Sequence, residues 1–338
     1  MLVPFFSLSL TILLALLLDR LLGEPKKYHY LVAFGTLCQR LEKKLNPEYK
    51  ANFFKKNQSA NVKNVFSVKS ATLGALAWGL LVLPLPLIYW FLFRNISWQQ
   101  HVFIDSIILY LAIGLSSLKQ HAMQVYRPLK SGDLETARKF TGYLVSRETQ
   151  SLSTDEMSRA TVESVLENGH DAVIASLLFY LIGGAPLVII HRLANTLDAM
   201  WGYKNPRYFS FGYASARLDD LLGFLTAKCC TLLYAVQGNF LVSLKNAYSQ
   251  GNRYKSHNGG WVMAAGATVM NVSLGGSANY HGTKVNSIKL GSGGTVTIDD
   301  IPQSLALVQR AAILLLLFIF ALQLFMYVHY FSMINGVY

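Results

Sequence analysis

The chain has 338 residues, of which 52% are hydrophobic and only 14% charged, against roughly 25% charged in an ordinary soluble domain. That balance excludes a water-soluble globule and points to a protein embedded in a membrane. The net charge of +12, from 30 Lys and Arg against 18 Asp and Glu, then belongs to loops facing anionic lipid and not to nucleic-acid binding.

Four segments are apolar over the roughly 20 residues that a bilayer requires. Phe5–Leu22 has neither a basic start nor a small-residue cleavage site, so it reads as an anchor and not as a signal peptide. A polar, basic stretch over 43–69 follows, expected to be a lipid-facing loop or surface helix. Ser70–Phe93 contains Pro84 and Pro86, which predict a kink. Val102–Leu118 is the third span and Ala311–Phe331 the last. A fifth apolar run, Ala172–Ile190, is interrupted by Gly183-Gly184-Ala185-Pro186, which breaks a helix through backbone entropy and a missing donor.

Lys and Arg fix the expected topology. Residues 24–69 hold ten of them, 119–159 seven and 192–310 eleven, whereas the loop between the second and third spans has Arg94 alone. The positive-inside rule places 24–69, 119–171 and 192–310 in the cytoplasm. That assignment requires Ala172–Ile190 to be a re-entrant or interfacial hairpin, tolerable where protein covers its backbone. The predicted fold is an all-α integral membrane protein: a single polytopic domain over 1–338 whose cytoplasmic site region spans 119–310. It has about four transmembrane helices, one broken re-entrant or interfacial helix, and cytoplasmic helical segments. The cysteines, Cys38, Cys229 and Cys230, have neither zinc-ligand nor redox spacing.

Polar residues that are not lysines gather in three places. Ser153-Thr154-Asp155-Glu156 reads as a helix start, with a hydroxyl cap and early acids. Beyond it Arg159, Glu163, Glu167, His170 and Asp171 share one helical face. Arg159 and Glu163 are spaced for an ion pair. Carboxylates at the edge of an apolar segment are costly unless they pair or bind a cation, so structural pairing and a metal or catalytic site both fit. Arg192, Asn195 and Asp198 form a second face, and Arg217, Asp219 and Asp220 follow a turn at 202–206. The oxygens of Asp198, Asp219 and Asp220 suit Mg²⁺, which keeps waters and bridges to phosphates; neutralisation of Arg217 is the simpler alternative. The third place, 257–282, is rich in glycine and carries Asn258, Asn279, Tyr280 and His281. It matches no nucleotide-binding motif, and helix packing by small residues explains its glycines as well as a ligand does.

Several of these blocks resemble a known family. Arg147-Glu148-Thr149, then ATVESVLENGHDAVIA, GGAP and ANTLDAMWGYKNPRYFSFGYASARLDDLL look like the central block of the CobD/CbiB family. HNGGW and LGGSANYHG are similar to its C-terminal block, and Asp19 to Pro25 to its N-terminal one. The resemblance covers roughly 12–30 and 140–285. It implies an inner-membrane enzyme of cobalamin biosynthesis that joins a carboxylate of adenosylcobyric acid to (R)-1-aminopropan-2-ol or its O-phosphate. The product is adenosylcobinamide or its phosphate; ATP and Mg²⁺ are the implied cofactors, and other late-pathway membrane enzymes the implied partners.

On that reading Glu163, Glu167, Asp198 and Arg217 are catalytic, and Asp171, Asp198, Asp219 and Asp220 hold the metal. Arg147, Asn168, Arg192 and Asn195 bind substrate. The loop over 258–282, with Asn258, Gly260, Trp261, Asn279 and Tyr280, lines the corrinoid pocket. Four departures from the family pattern stand out: Tyr30 after His29, Ser176 after Ala175, His257 after Ser256, and Gly223 to Lys228 in place of Asn-x-x-Pro-Ala-Arg. A non-catalytic regulatory relative (AmpE-like) is the alternative. A transporter fits less well, because ionisable residues are nearly absent from the four spans.

Overall fold

The computed structural model describes residues 5–24, 30–49, 65–145, 147–280 and 283–334. Pro25, His29 and most of the basic stretch over 43–69 lie outside them. Helices α1 (Ser7–Leu22) and α2 (Tyr30–Leu45) lead to α3 (Val68–Val82) and α4 (Pro84–Phe93). Next come α5 (Trp98–Ala112), α6 (Leu115–Ser131), α7 (Leu134–Leu144) and α8 (Thr154–Gly169). A π-helical turn, His170–Ile174, joins α8 to α9 (Ala175–Trp201). After α10 (Tyr213–Ala235) and α11 (Phe240–Asn246), a second π-turn, Ala247–Gly251, precedes α12 (His257–Val269). A hairpin of β1 (Ser273–Tyr280) and β2 (Thr283–Gly291) separates α12 from α13 (Asp300–Ile334).

The all-α membrane architecture is as expected, with the hairpin its one sheet among the described residues. Among the described residues four stretches are long and apolar enough to cross a bilayer: Val68–Phe93, Trp98–Ser131, Thr154–Trp201 and Asp300–Ile334. The stretch containing Ala172–Ile190 is one of them, and α1, the expected first span, is described over 16 residues. The expected break in that stretch is present: Gly183 and Gly184 leave helical geometry, Gly184 at φ +63°. Likewise α3 ends at Leu83, before Pro84 and Pro86. The apolar windows of Val68–Phe93 and Asp300–Ile334 are only 28% buried within the protein, which leaves Leu87, Phe91, Phe318 and Phe325 for lipid.

The chain divides into two compact units. The first takes Met1–Glu24, Val102–Leu178 and Phe224–Tyr338, and the second Pro25–His101 and Phe179–Gly223. In the first, Met157, Leu166, Ile174, Leu177, Tyr234 and Met263 are fully buried. Its polar groups are matched over long sequence distances. Asp19 accepts the Ser116 N–H at 2.9 Å and so caps α6 from another helix. Glu24 accepts from Ser117. Gln323, buried in α13, accepts the Ser9 N–H at 3.1 Å and donates to the Phe5 carbonyl at 2.6 Å, which joins the start of α1 to the far part of the last helix.

In the second unit Phe34, Cys38, Ala77, Leu81, Leu193, Leu197, Trp201 and Phe211 make the core. The segment between α9 and α10 is pinned to α2 by Arg207, whose Nε meets the buried Glu42 at 2.7 Å. Asn46 adds a hydrogen bond to the Arg207 carbonyl at 3.0 Å.

Candidate functional site

The helix start expected at Ser153 forms as a capping box. The Ser153 side chain accepts the Glu156 N–H at 3.3 Å, and Glu156 accepts the Ser153 N–H at 2.9 Å. The cap sets the phase of α8, which carries Glu163 and Glu167 on successive turns. The π-turn after Gly169 then adds a residue to the helical repeat, a distortion that helices often place at functional positions.

Glu163 finds a different partner from the one its spacing suggests. Arg147 Nη2 lies 2.6 Å from Glu163 Oε2, and the two side chains are 8% and 10% exposed. The other oxygen, Oε1, accepts the Gly275 N–H at 2.8 Å. Gly275 stands at φ +74° in β1, where any side chain would strike the Ile288 carbonyl. Tertiary geometry thus overrides the i, i+4 pairing with Arg159. Arg159 instead lines a cavity of about 110 Å³ with Asp155, Glu156, Lys289 and Gly275.

Glu167, one turn on, is half-buried and accepts no hydrogen bond among the described residues. Asp171 and Glu163 surround it with negative charge, opposed by Lys255. It lies against α12: a Cβ on Gly259 would stand 2.6 Å from Glu167 Oε1. Asn168 is exposed and donates to the Ser164 carbonyl at 2.8 Å.

The segment expected as a loop over 258–282 is not one. Ser256 caps α12 by accepting the Gly259 N–H at 3.2 Å, so Asn258, Gly260 and Trp261 are helical, and Gly275 and Gly276 lie in β1. The glycines therefore serve close packing: a Cβ on Gly260 would lie 2.7 Å from Tyr254 Cβ. The side chains of Asn279 and Tyr280 lie outside the described residues.

Three residues of this unit were given no site role from sequence. Buried His170 meets Asp171 through Nδ1 at 2.7 Å and Thr226 Oγ1 through Nε2 at 2.9 Å. Lys228 lies over the Trp261 ring, 3.1 Å from its centroid, and burial pushes its pKa down to about 8. The adjacency of His170 and Asp171 was a visible signal. The contacts of Thr226 and Lys228 had none, because they depend on how α10 packs.

In the second unit Arg192, Asn195 and Asp198 lie half-buried along α9. Arg192 Nε is buried and makes no hydrogen bond among the described residues. The Asp198 carbonyl accepts the Gly202 N–H at 2.7 Å. Arg217 and Asp220 are exposed and Asp219 is half-buried; the Arg217 guanidinium lies 5.4 Å from the Tyr213 ring centroid. Among the described residues no group of three His, Cys, Asp or Glu could hold a metal ion by itself. The donor set still fits Mg²⁺ in kind, since that ion takes one or two carboxylates and completes its shell with waters and phosphates.

The family model described as CobD/Cbib protein matches residues 12–308. "Cobalamin biosynthesis protein CobD" of Chromobacterium violaceum is 44% identical over 297 residues, 88% of this chain and 91% of that protein. The protein of the same description in Stutzerimonas stutzeri is 42% identical over 304 residues, 89% and 93% of the two chains. "Cobalamin biosynthesis protein CbiB" of Salmonella typhimurium is 31% identical over 318 residues, 91% and 95%. No solved structure matches.

Proposed function

The chain belongs to the CobD/CbiB family of cobalamin biosynthesis proteins, and from that premise we propose that it is the amide-forming enzyme of that pathway. It joins a carboxylate of adenosylcobyric acid to the amine of (R)-1-aminopropan-2-ol or its O-phosphate at the expense of ATP, on the cytoplasmic face of the inner membrane. The observation that carries the reading is Glu167, a carboxylate with unused acceptor capacity set against the backbone of the asparagine–glycine block at Gly259.

A carboxylate and an amine condense only after the carboxylate is activated. A corrinoid carboxylate oxygen attacks the terminal phosphorus of ATP, giving an acyl phosphate and ADP. The amine nitrogen then attacks the acyl carbon, and inorganic phosphate leaves with the C–O bonding pair. Glu167 takes the proton that the nitrogen loses. Glu163, with both oxygens engaged, positions Arg147 and the Gly275 turn. Arg192 and Arg217 contact anionic oxygens, for which the guanidinium fork is suited, whereas Arg147 is held by Glu163. Asp171 of the first unit, or Asp198, Asp219 or Asp220 of the second, would hold Mg²⁺, which would supply charge neutralisation on the phosphates.

The test is complementation of a cobalamin-auxotrophic strain lacking the synthase, fed cobyric acid or cobinamide. Growth on both is expected. Growth on cobinamide alone, with the protein present in the membrane, overturns the reading and favours the regulatory relative.

A further inference from the structure

Lys228 and Trp261 form a pair that the scheme above leaves without a duty. The Lys228 ammonium lies 3.1 Å from the centroid of the Trp261 ring and 5.2 Å from that of Phe224. The indole itself is fixed. Its Nε1–H donates to Asn252 Oδ1 at 2.7 Å, and Tyr248 meets it edge-on with centroids 6.0 Å apart. Gly251 makes room for the ring, since a Cβ there would stand 2.7 Å from Trp261 Cδ1.

Among the described residues Lys228 has neither a hydrogen-bond acceptor nor a carboxylate. An ammonium against a π face gains about 0.5–2 kcal/mol, and its three N–H donors remain available to a ligand. Burial without a counter-charge already disfavours its charged form, and no charged neighbour contributes to that shift. A half-buried cation in this state is completed by an anionic oxygen. Arg253 and Lys255 precede α12, and residues 252–270 contain no Asp or Glu. Glu167 lies against Gly259 and faces Lys255, and no carboxylate contributes to the electrostatics of Lys228.

We infer that Lys228, set on the face of Trp261, binds a phosphate group of a substrate and acts as a specificity-determining residue for it. The inference rests on the amide-forming reading, in which ATP and the phosphorylated amino alcohol both present this oxyanion. A dianionic phosphate suits a compact ammonium in a basic setting better than a single carboxylate does.

Full-length protein in detergent is titrated by calorimetry with inorganic phosphate, ATP, 1-aminopropan-2-ol O-phosphate and the unphosphorylated amine. Wild type is compared with Lys228→Met and Lys228→Arg, with thermal unfolding as the control on folding. Lys228→Met should weaken at least one phosphorylated substrate by about tenfold or more, Lys228→Arg should restore most of the loss, and the unphosphorylated amine should be unaffected. A response confined to ATP assigns the site to the nucleotide, and one confined to the amine phosphate assigns it to the acceptor. Should Lys228→Met fail to fold, wild-type phosphate binding from pH 7 to 9 serves instead: it should fall through pH about 8 as the ammonium loses its proton. Unchanged binding in Lys228→Met, a flat pH profile, equal loss of every ligand, or no phosphate binding by wild type overturns the inference. Amide formation assayed on the same preparations separates the two readings. Phosphate binding that depends on Lys228 without amide formation removes only the reaction, and amide formation with binding indifferent to Lys228 removes only this site.

Discussion

Glu163 and Glu167 stand one turn apart on the same helix and face neighbouring surroundings, yet their situations are opposite. At Glu163, Arg147 and the Gly275 N–H take both carboxylate oxygens, and the ion pair is nearly closed to water. At Glu167 the carboxylate accepts no hydrogen bond among the described residues and lies against the flank of Gly259. A buried ion pair whose remaining acceptors are filled is an anchor, and breaking it strands a charge. A carboxylate with spare capacity is the one able to take a proton. Sequence periodicity cannot separate the two, since it reports a shared face and not what covers it.

The contrast breaks most directly at Glu167. Glu167→Gln keeps shape and removes basicity, so kcat for amide formation should fall about 10²–10⁴-fold while unfolding of the protein in detergent stays at the wild-type temperature. Wild-type turnover in that variant would return the two acids to equal standing. Glu163→Gln should do the reverse, lowering stability by about 3–5 kcal/mol because Arg147 is left buried without its counter-charge. Chemical denaturation checks this; a variant as stable as wild type would mean that the Arg147–Glu163 pair anchors nothing.

The legible part of the molecule was what depends on neighbours in sequence. The cap at Ser153, the breaks at Pro84 and Gly184, and the lipid-facing helices follow from local propensity and hydropathy. What depends on distant chain did not show. The Arg147–Glu163 pair displaced the local Arg159 pairing because a β1 glycine from more than a hundred residues away supplies the second half of its shell. The 258–282 block read as a loop because glycine signals both flexibility and close packing, and here it is packing that α12 uses. Family resemblance marked Asp19 without a role, and its role is to cap α6.

Gly259→Ala sharpens the comparison further. The added methyl would crowd Glu167 Oε1 at 2.6 Å and leave Glu163 untouched, so a drop in kcat of about tenfold with little change in stability is expected, read by steady-state assay. An equal effect of Gly259→Ala on denaturation would mean that α12 is displaced as a whole. The smallest effect belongs to Ser153→Ala, which acts on both acids through the helix they share. It should cost about 1 kcal/mol in denaturation experiments without favouring either site; a selective loss of catalysis would show that the cap tunes Glu167 in particular.

The pairing of Ser9 with Gln323 has a consequence for how the protein is made. The donor leaves the ribosome near the beginning of synthesis, and its acceptor lies 314 residues later. Only a chain extended past residue 323 can make this hydrogen bond. A nascent protein interrupted by a premature stop or a stalled ribosome lacks this closure whatever else has folded. The hydrogen bonds between the first helix and the last are thus among the final contacts that synthesis makes possible.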